Sequence, residues 1–121
     1  MTVRYHFDAE DTAPWRGSSW ATGLGFDTLD GHGDTVPLAL TLADAVTLTL
    51  SWRGGTLVLT AAAGRLTLDD ATGSVRWTLT PAETAALPPG LLTAYQIEMR
   101  VDAVETTLAS GQILAQEPLN A

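Results

Sequence analysis

The densest group of reactive side chains is the stretch "DTLDGHGD", which sets Asp27, Asp30, His32 and Asp34 among glycines. A Ca²⁺ loop uses closely spaced carboxylates of this kind, because a hard cation takes several oxygens at short range. The D-x-[DN]-x-[DN]-G spacing is absent, and no Glu closes the loop. Asp27–Asp34 therefore reads as a hydrated acidic turn, with a cation site as the alternative. His6 and His32 are the only histidines, and there is no cysteine. No G-x-S-x-G marks a nucleophile, so nothing in the order of residues singles out a Ser/His/Asp set. Two carboxylates working on a glycosidic bond would have to face each other across a cleft, whereas most acids here fall in turn segments. The expectation is a protein that is not an enzyme, with no catalytic residues, no cofactor and no metal.

What remains is aromatic. Of the four tryptophans, Trp52 and Trp77 continue apolar rows of alternating segments and are expected in the core. Trp15 sits in the irregular stretch "DAEDTAPWRG". It has two readings, packing beneath the domain or anchoring an interface, where Trp is enriched. Ahead of it, "VRYHF" alternates Val3, Tyr5 and Phe7 against Arg4 and His6, a short strand pattern. As an arm, such a strand would add itself to a neighbouring sheet. Val3, Tyr5, Phe7 and Trp15 are the candidate partner-binding residues.

The chain of 121 residues is long enough for one domain with a real core. Its formal charge is −8, from fourteen acids against six bases. All the bases are arginines, scattered from Arg4 to Arg100. No basic stripe could neutralise a row of phosphates, which argues against direct nucleic-acid binding. No apolar run approaches the roughly 20 residues of a membrane helix. The opening residues lack the apolar core of a signal peptide, and the absence of cysteine fits a reducing compartment.

The elements that would position these residues are short strands. "AVTLTLSW" (Ala45–Trp52) alternates Val46, Leu48, Leu50 and Trp52 with Thr47, Thr49 and Ser51, the pattern of a half-buried antiparallel strand. Similar runs lie at Ser18–Phe26, Val36–Leu42, Thr56–Ala61, Arg65–Asp69, Ser74–Thr80 and Ala94–Val101. Gly54-Gly55 suits a primed hairpin turn. In the last strand, Val104–Ala115, the apolar phase of Val104, Thr106 and Leu108 passes to Ile113, which predicts a bulge at Gly111. Seven to nine such strands, with turn signals every eight to twelve residues, indicate a β-sandwich.

One stretch departs from this pattern. In "LTPAETAALPPG", Thr80 is an N-cap with Pro81 at the first helical position, where its missing N–H costs nothing. Glu83 completes a capping box, and Pro88-Pro89-Gly90 stop the helix. This predicts one short helical crossover, about Pro81–Leu87, with Leu87 as its anchor. In immunoglobulin-like sandwiches the connection between the fifth and sixth main strands takes such a turn, and a following Tyr, here Tyr95, packs back on it.

The crossover also carries a resemblance. Thr80, Pro81, Glu83, Thr84, Ala85, Leu87, Pro88 and Gly90 match a Thr-Pro-x-[Asp/Glu]-Thr-Ala-x-Leu-Pro-x-Gly pattern. Tyr95, Ile97 and Glu98 follow, then Leu108, Gly111 and Ile113. Together with "RGSSW" and "VPLALTLADAVTLTL" upstream, residues 16–115 resemble a phage-encoded immunoglobulin-like domain of the tailed-phage baseplate-upper-protein N-terminal type. The resemblance implies an all-β, immunoglobulin-like antiparallel sandwich over 16–118, with an N-terminal arm over 1–15. It implies a structural role: a connector or attachment module in a tailed phage or phage-like particle, made in the bacterial host cytoplasm and residing in the virion. The implied partners are other virion structural proteins, with multiple copies in a symmetric assembly and no membrane contact. Two other readings stand beside it: a host-surface or carbohydrate-binding sandwich on a fibre, and a capsid decoration or stabilising protein.

Overall fold

The computed structural model describes residues 3–7, the first strand, by backbone alone, and residues 14–88 and 91–116 in full. Among the described residues nine strands run in chain order: β1 (Val3–Phe7), β2 (Trp20–Leu29), β3 (Thr35–Pro37), β4 (Ala45–Trp52), β5 (Gly55–Thr60), β6 (Leu66–Asp69), β7 (Ser74–Leu79), β8 (Leu92–Val101) and β9 (Val104–Leu114). A 3₁₀ turn at Leu40–Leu42 precedes β4, and the helix α1 (Pro81–Ala85) joins β7 to β8. One sheet has the order β1-β2-β7-β6, with β3 also paired to β2; the other has the order β5-β4-β8-β9. All pairings between these strands are antiparallel. This is the immunoglobulin arrangement, with A-B-E-D facing C′-C-F-G, so the all-β sandwich is the fold of the chain.

Alternation builds the core. Val46, Leu48 and Leu50 of β4 meet Trp20, Leu24 and Phe26 of β2, Val75, Trp77 and Leu79 of β7, and Tyr95, Ile97 and Met99 of β8 in one buried cluster. Trp20 and Trp77 pack edge to face, 6.1 Å between ring centroids, a favoured aromatic geometry. Trp77 is buried as expected. Trp52 is half-buried instead, its ring lying across Gly55 on the paired strand.

Several local features depart from the sequence expectations. Of the run Val36–Leu42 only Val36 and Pro37 are strand, because β3 stops at the proline and Leu40 turns inward at the 3₁₀ turn. The turn between β4 and β5 is Arg53-Gly54, and only Gly54 has a positive φ, 99°. The primed pattern, positive φ at both central residues, falls instead at Asp102 (51°) and Ala103 (65°) between β8 and β9. The bulge in β9 lies at Leu108, where the register shifts opposite Ile97 and Glu98. It sends both Leu108 and Ala109 inward and moves the buried row onto Ile113 and Ala115. Gly111 remains glycine for another reason: the Tyr95 ring lies across it, and a Cβ there would come within 2.8 Å of that ring.

The crossover starts as expected at Pro81 but ends at Ala85, two residues short of the expected Leu87. Thr80 Oγ1 accepts the Glu83 N–H and the Glu83 carboxylate accepts the Thr80 N–H, closing the capping box. Leu87 is fully buried. Pro89-Gly90, expected to end the crossover, lie outside the described residues. So do the connector 8–13 and the end of the domain at 118.

Candidate interaction surfaces

The first strand belongs to the sandwich. Val3–Phe7 pairs along its length with β2, Tyr5 opposite Phe26 and Phe7 opposite Leu24. Directly paired positions share a face of a sheet, and Phe26 and Leu24 are fully buried. Positions 3, 5 and 7 therefore fall on the inner face of the first sheet. The strand expected to be lent to a neighbour is lent to the chain's own β2.

The chain then changes sheet. Residues 14–16 run parallel to the end of β9, with Arg16 N–H donating to Gln116 O at 2.9 Å and Gln116 N–H to Pro14 O at 2.9 Å. Arg16 reaches on to α1. Its guanidinium donates to Leu87 O at 2.8 Å and to Ala85 O at 2.7 Å, satisfying carbonyls that a helix end leaves open. Beside it, the buried Thr84 hydroxyl donates to Ser18 O at 2.8 Å and accepts the Gly17 N–H at 3.1 Å. On the other flank, Arg65 pairs with Glu83 at 2.6 Å. The Arg65 hydrogen bond holds the Glu83 carboxyl below its ordinary pKa. A helix of one and a half turns, too short to be stable alone, is thus held by two arginines from distant segments.

This geometry exposes Trp15. Its paired residue, Gln116, lies two positions beyond Leu114, on the outer face of β9. Trp15 is 43% exposed, and Leu114 and its paired residue Leu92 are 45% and 54% exposed. The three apolar side chains occur together at the crossover end of the second sheet. Arg53, exposed on the β4–β5 turn, belongs to the same end.

A second apolar group lies at the other end of the β8–β9 hairpin. Val101 and Val104 continue the inward rows of β8 and β9 but extend past the facing sheet, so they are 38% and 64% exposed. With Leu42, 77% exposed, and with Val36, Leu38 and Met99 they line an open groove of about 520 Å³. Sequence reading missed this surface, because its residues obey the inward alternation and only the length of the opposing sheet leaves them uncovered.

Carboxylates surround the groove. Asp44 accepts the Asp102 N–H, and Asp70 accepts the N–H and hydroxyl of Thr41. The Thr41 hydroxyl is the main reason the Asp70 carboxyl is held below its ordinary pKa. In the acidic turn, Asp30 accepts the N–H groups of His32 and Asp34 at 2.8 and 3.0 Å. Its carboxylate closes its own loop rather than converging with Asp27 and Asp34 on a shared point. Among the described residues no group of three or more His, Asp or Glu is placed to hold a metal, and no helix is long and apolar enough to cross a membrane. No protein-family model matches the chain, and no curated protein matches it.

Proposed function

We propose that the protein is a structural connector of a tailed phage or phage-like particle: a small immunoglobulin-like module joining particle proteins in multiple copies. One observation carries the connector role. The sandwich exposes an apolar group at each end of the β8–β9 hairpin, Trp15, Leu92 and Leu114 at one end and Leu42, Val101 and Val104 at the other. At about 3.3 Å per residue, the ten residues of β8 separate them by roughly 30 Å. Apolar groups exposed on this scale mark contact surfaces, and two of them on one rigid body suit a module held between two neighbours. The particle assignment rests on the resemblance of residues 16–115. The carbohydrate-binding reading needs exposed aromatics on loops; among the described residues Trp15 is the one exposed aromatic side chain, since Trp20 is 3% exposed.

Mass spectrometry of gradient-purified particles from the producing strain tests the assignment. The chain is expected in fixed stoichiometry with tail or neck proteins. Its recovery solely from the particle-free fraction, with intact particles lacking it, would overturn the proposal.

A further inference from the structure

The two ends differ in charge, and the difference is complementary. The groove end carries Asp30, Asp34, Asp44, Asp70 and Asp102. Asp30, Asp44 and Asp70 accept hydrogen bonds from uncharged donors, so those contacts leave their negative charge standing. Arg100 is the one cation among the described side chains there; it is paired with Glu105 at 2.8 Å and is also attracted by Asp44, which leaves the other aspartates to set the charge of this end. The crossover end presents Trp15, next in sequence to Arg16, with Leu114 and Leu92 following across the sheet and the exposed Arg53 on the β4–β5 turn beyond them. An acid-rimmed apolar groove selects an apolar anchor flanked by cations, and Trp and Arg are the residue types that dominate protein contacts. This chain displays such an anchor on its own surface.

We propose that the groove end of one copy receives the crossover end of a second copy, so that the protein associates head to tail. The inference rests on the reading of both ends as contact surfaces, but not on the particle assignment. Trp15 of one copy enters the groove between Leu42, Val101 and Val104 of the next, and Arg53 faces its aspartates. Because the two contact patches are different, an open assembly keeps one free groove at one end and one free anchor at the other. Such a contact gives a ring if the rotation closes and a filament if it does not.

Sedimentation equilibrium of the purified chain tests this. For the wild type, mass is expected to rise with concentration beyond that of a dimer, and the dissociation constant to rise at least tenfold between about 50 mM and 500 mM salt, where screening shortens to a few ångströms. Val104→Glu blocks the groove and Trp15→Glu blocks the anchor, both at exposed positions. Each variant alone is expected to remain monomeric. Mixed, they are expected to form 1:1 pairs and nothing larger, since one retains the anchor and the other the groove. Trp15→Phe is expected to restore chains of wild-type size, which separates loss of the anchor from loss of fold. A wild type monomeric to about 1 mM, a mixture that stays monomeric while circular dichroism shows both variants folded, or a symmetric dimer formed by either variant alone would overturn the proposal. None of these outcomes bears on whether particles contain the chain, which mass spectrometry decides separately.

Discussion

Replacing Thr84 by valine is the sharpest probe of how the crossover is held. The side chain is fully buried, and valine fills the same volume with a methyl in place of the hydroxyl. Two hydrogen bonds to the N-terminal segment disappear together, the one to Ser18 O at 2.8 Å and the one from Gly17 N–H at 3.1 Å. Each such bond contributes about 1 kcal/mol net, and a partner left without water costs more. Ser18 and Gly17 belong to exposed residues, so water recovers part of that extra cost, and the loss comes to about 2 kcal/mol. With an unfolding entropy of roughly 2.1 cal/mol/K per residue and 121 residues, 1 kcal/mol corresponds to roughly 4 °C. Thermal melts followed by far-UV circular dichroism should therefore show Tm falling by about 8 °C for Thr84→Val. Thr84→Ser keeps the hydroxyl and should fall by about half as much, from the lost methyl. A valine variant within about 2 °C of wild type, or one more stable than the serine variant, would refute the idea that this hydroxyl ties the crossover to the chain's N-terminal segment.

Gly73 has φ +66°, and a Cβ there would collide with the Phe26 carbonyl. Gly73→Ala should cost about 3 kcal/mol, from left-handed strain plus overpacking, read as a urea midpoint shift at unchanged m-value. Ala103 sits at φ 65° in the β8–β9 turn. Ala103→Gly relieves roughly 1–2 kcal/mol of that strain against roughly 0.5–1 kcal/mol of added chain entropy, so Tm should rise by about 2–4 °C; a fall contradicts the turn assignment. Glu83, held below the ordinary glutamate range mainly by its hydrogen bond from Arg65, contributes stability that is full above the ordinary carboxylate pKa and is lost as pH falls through its lowered folded value. The Tm advantage of wild type over Glu83→Gln should thus be full at pH 7 and shrink below pH 4.5; a constant difference across that range contradicts the ion pair.

What the sequence made legible was local chemistry and period. The cap of α1 could be read because Thr80, Pro81 and Glu83 each satisfy a fixed backbone need within one turn. Ala45–Trp52 was legible to the residue because every alternate side chain agrees. Long-range features were not. The primed turn fell at Asp102-Ala103 rather than at the glycines, because the register of β8 and β9 forced the conformation on residues that do not favour it. The bulge was placed three residues late because Gly111 looks like a break, while the actual shift at Leu108 is marked only by two adjacent inward side chains. The Arg16 clamp joins positions some seventy residues apart, and no spacing rule reports such a pair. The exposed apolar groups were half legible: Trp15 could be singled out by type, whereas Val101 and Val104 look like ordinary inward strand positions until the facing sheet is seen to end before them.

The early part of the chain lies on both sheets, with Val3–Phe7 along β2 and residues 14–16 along the end of β9. The second of these contacts spans roughly a hundred residues of sequence, and contacts of such separation form late because loop closure must precede them. During synthesis, residues 14–16 have no β9 to pair with until nearly all of the described chain has been made. The N-terminal segment therefore spends translation without one of the two strands it pairs with. The Arg16 bonds to Ala85 O and Leu87 O have their partners as soon as the crossover is made, whereas the pairing of residues 14–16 with Gln116 is completed only when the last strand arrives.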